Sequence, residues 1–195
     1  MRAARQGNAG DLPFDLPLGD ARLAGALADV DAAHAIRFKV GKASGRDVVR
    51  WHLDALVLSA LGDARGVLAF STLESGDVDA RALPSHPPEA ARQALRWLIG
   101  VMREGIAAPL PFRPSAAWTW LEDFFATGDV AHADDAAAKS WTNRSGGGEG
   151  SDAGTLLALR GAMPFADEQA TLRFRALARD VFGALRDARV PEHAA

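Results

Sequence analysis

Residues 35–44 read Ala-Ile-Arg-Phe-Lys-Val-Gly-Lys-Ala-Ser, "AIRFKVGKAS". Ile36, Phe38 and Val40 alternate with Arg37 and Lys39, the period-two pattern of a half-buried strand. Before it, "RLAGALADV" (22–30) is a second candidate strand, and "DAAH" supplies the turn of a hairpin. After it, "GKASG" breaks the strand. Asp47 to Leu61 then carries Val49, Leu53, Leu56, Val57 and Ala60 at helical spacing, a stripe that predicts a helix closed by Gly62.

Working outward, "GVLAFSTLE" (66–74) is a third strand, and its unbroken apolar run predicts an interior place in a sheet. A polar loop containing "LPSHPP" follows. A helix over 88–105 carries Ala91, Leu95, Leu98 and Met102 on one face, with prolines at its start and Gly105 at its end. "APLPFRPS" is extended chain. Ser115 is placed to cap a helix through Phe125 that is rich in Trp118, Trp120, Phe124 and Phe125, and a further helix spans 131–142. "NRSGGGEGSDAG" has the composition of a flexible loop. A last helix over about 167–189 turns Phe174, Leu177, Val181 and Leu185 inward. Residues 1–17 read as irregular or as an extended lead-in, 18–190 as a single domain, and 191–195 as a tail. The expected fold is α/β, a small mixed sheet with flanking helices and a helical C-terminal half.

Composition narrows the chemistry. The 195 residues include no cysteine, which excludes disulfides, thiolate metal sites and cysteine nucleophiles. No apolar stretch approaches a membrane span and no signal segment opens the chain, so a cytoplasmic protein with no membrane partner is expected. Net charge is −3, but it is unevenly spread. Arg37, Lys39, Lys42, Arg46 and Arg50 stand against Asp47 alone in 36–50. Glu122, Asp123, Asp129, Asp134 and Asp135 have no Lys or Arg beside them in 122–135. Such separation suggests a phosphate-facing side and a protein-facing side. The histidines (34, 52, 86, 132 and 193) show no helical metal-ligand spacing and read as surface or helix-end residues. "GKAS" is not a phosphate loop, since Ile36 and Ala43 stand where glycine and Ser or Thr are required. No cofactor is predicted.

The hairpin resembles that of PD-(D/E)xK nucleases. These place an Asp in one strand and an acid-x-Lys in the next, because two carboxylates must hold Mg²⁺ beside the scissile phosphate while the lysine steadies charge. In this chain Ala28 stands at the first acid position and Arg37 at the second, whereas Lys39 remains. Ala28, Arg37 and Lys39 are therefore vestigial positions, with no catalytic or metal role. An arginine there repels Mg²⁺ and suits a phosphate oxygen. Asp29 is a poor substitute, because a one-residue slip turns a strand side chain to the other face.

"RDVVRWHLDALVLSALG" (46–62), "MREGIAAPLPF" (102–112), "SAAWTWLED" (115–123) and "NRSGGGEGSD" (143–152) occur in an order that resembles the C-terminal domain of RecC. RecC is the gamma subunit of exodeoxyribonuclease V, the RecBCD helicase–nuclease. The similarity runs from about Leu12 to Val190. It implies a degenerate PD-(D/E)xK nuclease-like core, no enzyme activity of its own, and DNA and RecB- and RecD-type subunits as partners. It also implies a non-catalytic DNA-binding and scaffolding role in double-strand break repair and recombination. Since the parent subunit is several times longer, a fragment or split subunit is expected. Candidate phosphate contacts are Arg37, Lys39, Lys42, Arg46 and Arg50. The alternatives are an active nuclease with carboxylates rearranged to Asp29, Asp31 or Glu74, and a protein-interaction module docking through the aromatic segment 118–125.

Overall fold

The computed structural model describes residues 9–73, 75–142, 148–160 and 164–183. Five strands lie in the order β1-β2-β3-β4-β5: β1 (Gly10–Leu18), β2 (Ala21–Val30), β3 (His34–Lys39), β4 (Gly66–Thr72) and β5 (Val78–Leu83). Among them only the β3–β4 pair is parallel, joined by the crossover helix α1 (Gly45–Leu61). The mixed sheet with helices is thus the expected α/β class, and β4 is interior as its apolar run predicts. The remaining described helices are α2 (Pro88–Ala107), α3 (Pro114–Thr127), α4 (Val130–Thr142), α5 (Ala153–Leu159) and α6 (Glu168–Phe182). The described chain divides into two compact units. One holds residues 9–43 and 50–100, the other 44–49 and 101–183.

In the first unit, the lead-in is extended from Gly10 onward and not irregular: it forms β1, antiparallel to β2. Leu12, Leu16 and Leu18 point inward, while Pro13 and Pro17 alternate with them on an edge strand, where a missing N–H is tolerated. Phe14 lies over Gly25, whose Cβ would come within 3.1 Å of the ring. Near its end β2 bulges. Gly10 pairs with Val30 but Leu12 with Leu27, and Asp29 takes φ 52°. Asp31 then closes the turn, its Oδ1 accepting the N–H groups of Ala33 and His34, each at 2.8 Å.

Three expectations are corrected here. The apolar face of β3 is buried only at its start: Ile36 is buried, but Phe38 and Val40 are 47% and 79% exposed, while Ala35 is fully buried and Arg37 and Lys39 share its face. Period two reveals two faces but not which of them a helix will cover. The stripe on α1 is met only in part. Leu56, Val57 and Ala60 are buried as expected, but Val49 and Leu53 are only half so, and Val48, Trp51, Ala55 and Leu58 are buried beside them, because the helix buries more than one face. Finally, the "polar loop" after β4 contains β5, in which Val78 is exposed and Arg81 and Leu83 are buried.

The second unit is helical. Trp118, Trp120 and Leu121 of α3 are buried with Phe174, Leu177 and Phe182 of α6, and the Trp118 and Phe182 rings meet edge-on at 5.2 Å. Phe174, Leu177 and Val181 face inward as expected, whereas Leu185 and the tail 191–195 lie outside the described residues. Two expectations for α2 fail. Met102 is 57% exposed, and Gly105 does not end the helix, which continues to Ala107. Of the glycine loop, 143–147 lie outside the described residues. Glu149–Ser151 form a 3₁₀ turn and Ala153–Leu159 form α5.

Candidate functional site

Strand register brings the sequence-predicted residues of β3 into a row of charges. Lys39 aligns with Ser71 and Ser71 with Asp79; Arg37 aligns with Ala69 and Ala69 with Arg81. Aligned residues share a face, and on this one Ala69, Ser71 and Arg81 are buried. Arg81 Nε donates to Asp79 Oδ2 at 3.0 Å. Sequence reasoning misses Asp79 and Arg81, since inward charges reverse the pattern that identifies a strand. A usable signal is present nonetheless, because Val78, Ala80 and Ala82 alternate with charged or large residues. β5 is an edge strand, where inward charge also discourages pairing with a further strand.

Arg37 reaches across three elements. Its Nε donates to Asp54 Oδ2 on α1 at 2.5 Å, and its Nη1 donates to the carbonyls of Ala28 at 2.7 Å and Ile36 at 3.0 Å. Positions 28 and 37 are therefore linked through the Arg37 guanidinium. Asp54 is not foreseeable. An acid seventeen residues from Arg37 on another element leaves no local trace in the sequence.

The other proposed cations lie elsewhere. Lys42 and Arg50 are exposed on the first unit. Arg46, in the second, is exposed too, with Nε 3.6 Å from Glu149 Oε1. Glu149, from "GGGEG", is buried, and its Oε2 accepts the N–H groups of Ser115 and Ala116, each at 3.1 Å. This distant carboxylate, and not Ser115, satisfies the first turn of α3, whose N-cap is Arg113. Gly45 and Gly150 permit that arrangement. A Cβ on Gly45 would fall 1.9 Å from the Pro114 carbonyl, and one on Gly150 2.6 Å from Trp141 Nε1.

The acidic run is locally spent. Asp123 binds His132 at 2.7 Å, chiefly by a hydrogen bond that raises the histidine pKa. Asp129 caps α4 by accepting from Ala131 N at 2.8 Å, and Asp135 pairs with Lys139 at 2.6 Å. Asp134 accepts from Trp120 Nε1 at 2.7 Å and from Arg175. The aromatic segment is largely core, as Trp118 and Trp120 are buried. His52 also departs from expectation. It is buried on α1, edge-on to His86 at 6.0 Å, and burial lowers its pKa to about 4, with a smaller push from His86. For the carboxylate alternatives, Asp31 is buried and engaged in its turn, and Glu74 lies outside the described residues. Among the described residues no three His, Cys, Asp or Glu side chains are grouped to hold a metal ion, and no helix is long and apolar enough to cross a membrane.

Fold and site define a small mixed-sheet α/β protein whose inward sheet face carries paired charges. The RecC C-terminal domain family model matches residues 1–125, well over half of the chain, and the chain belongs to that family. RecC is a subunit of exodeoxyribonuclease V, the RecBCD helicase–nuclease, and the match links the chain to that complex and to DNA repair and recombination. No curated protein matches the chain.

Proposed function

We propose that this chain is a non-catalytic DNA-binding and scaffolding domain of a RecBCD-type complex, built on a degenerate PD-(D/E)xK core. The observation that carries this reading is Arg37, bonded to the Ala28 carbonyl and to Asp54 where the nuclease chemistry requires two free carboxylates. The β2–β3 hairpin, the α1 crossover and the parallel β4 support the nuclease-like frame. Lys39 persists on the inward face without metal ligands beside it at 28 and 37.

Because Nε and Nη1 of Arg37 serve protein oxygens, phosphate contact falls to the exposed Lys42, Arg46 and Arg50. Each is a point charge or fork suited to a phosphodiester oxygen and indifferent to base sequence. RecB- and RecD-type subunits are the expected protein partners, and 18–190 is proposed as the domain that meets them.

The test uses the purified chain with linear duplex DNA. It should bind in a salt-dependent manner and leave the DNA intact with Mg²⁺. Lys42→Ala and Arg50→Ala should weaken binding without altering the fold. Mg²⁺-dependent cleavage abolished by Lys39→Ala would instead support the active-nuclease reading, and binding insensitive to salt would remove the phosphate contacts.

A further inference from the structure

The surroundings of Arg37 have the form of a cation site that is already filled. Three oxygens converge on its guanidinium, and each comes from a different element: the Ala28 carbonyl of β2, the Ile36 carbonyl of β3 and the Asp54 carboxylate of α1. All three belong to one compact unit. The Arg37 side chain is 16% exposed and that of Asp54 24%, so water has limited access to the pair. The Ala28 carbonyl sits at the β2 bulge beside Asp29, at φ 52°, where the ladder is interrupted and a carbonyl must find a donor elsewhere.

We infer that the Arg37 guanidinium is a resident cation closing an oxygen cage formed by β2, β3 and α1, and that the cage accepts a planar guanidinium-type cation. The donor geometry supplies the specificity. Nη1 serves two carbonyls while Nε, at a fixed angle to it, serves the carboxylate. An ammonium has no planar fork with which to meet the three together. The hairpin, its bulge and the crossover helix are thereby fastened by a covalently attached positive charge, and this corner of the fold needs no metal ion. The inference does not depend on the DNA-binding proposal: Arg37 variants should change stability, whereas Lys42 and Arg50 variants should change DNA binding.

Chemical rescue tests it on the full chain. Arg37→Ala should lower the thermal unfolding midpoint by several degrees, and low-millimolar ethylguanidinium should restore most of the loss. Ethylammonium or Mn²⁺ at the same concentration should restore little. Adding Asp54→Asn to Arg37→Ala should abolish the recovery. An unchanged midpoint in Arg37→Ala, equal effects of the three additives, or undiminished recovery without Asp54 would each overturn the inference. Should Arg37→Ala fail to fold, Arg37→Lys keeps the charge without the fork. Its midpoint should lie below that of the wild type, and a midpoint equal to wild type would refute a need for the planar group.

Discussion

His52 shows how one buried side chain couples the fold to pH. Its ring lies inside the first unit, its Nδ1 has no hydrogen-bond partner, and its pKa is lowered to about 4. An unfolded histidine titrates near 6.5, so between those values the unfolded chain binds the extra proton and the folded one does not. Stability from this group is therefore complete above about pH 6.5 and is lost as pH falls toward 4. The gap corresponds to roughly 3 kcal/mol. Urea titrations at pH 7 and pH 4.5 should show the decline, and His52→Leu should flatten it. Glu149 acts at the same scale through hydrogen bonds. Glu149→Ala removes the acceptor for two N–H groups of α3, so a loss of about 1–3 kcal/mol is expected in denaturant unfolding. Neither role is visible in sequence. His52 sits in an ordinary helical pattern, and Glu149 lies among glycines that by composition describe a linker.

At the level of elements, the helices and interior strands are largely legible because their patterns repeat. The core run of α1, the apolar run of β4 and the inward face of α6 each occupy the predicted part of the chain. The edge strands are not. β1 is interrupted by Pro13 and Pro17, and β5 turns Asp79 and Arg81 inward, so each departs from the pattern by the means an edge strand uses to avoid further pairing. Helix starts are obscured for a related reason. Pro114 opens α3, but its capping acid comes from thirty-four residues away. The approach of the chain at Gly45 is equally hidden, since nothing in "KASGRD" announces a carbonyl 1.9 Å from a would-be Cβ. Gly45→Ala should cost about 3 kcal/mol or more through backbone displacement, measurable as a lowered denaturant midpoint. Gly41→Ala provides a contrast. No atom lies near its would-be Cβ, so only the strain of its φ of 89° should register.

For the molecule as a whole, the question is how a chain of net charge −3 could hold DNA. The proposed answer lies in distribution. The acidic run on α3 and α4 is largely engaged by His132, Lys139 and Arg175, while Lys42 and Arg50 remain exposed. If each of those cations meets one phosphate, removing it should reduce the slope of log affinity against log salt by about 1. Filter binding or fluorescence anisotropy across a salt series would read this directly, and a slope unchanged in both variants would place the DNA contact elsewhere.

The sequence by itself determined the α/β class, the family, the hairpin–helix–strand frame and the absence of acids at positions 28 and 37. Those properties reside in residue identity and short-range periodicity, which survive without knowledge of the fold. Only the tertiary structure decided which face of β3 is covered, that Asp54 answers Arg37, and that Glu149 caps α3. These are meetings between residues seventeen or more positions apart, and close packing and the cost of leaving a buried charge or N–H unpaired select them only once the chain has folded.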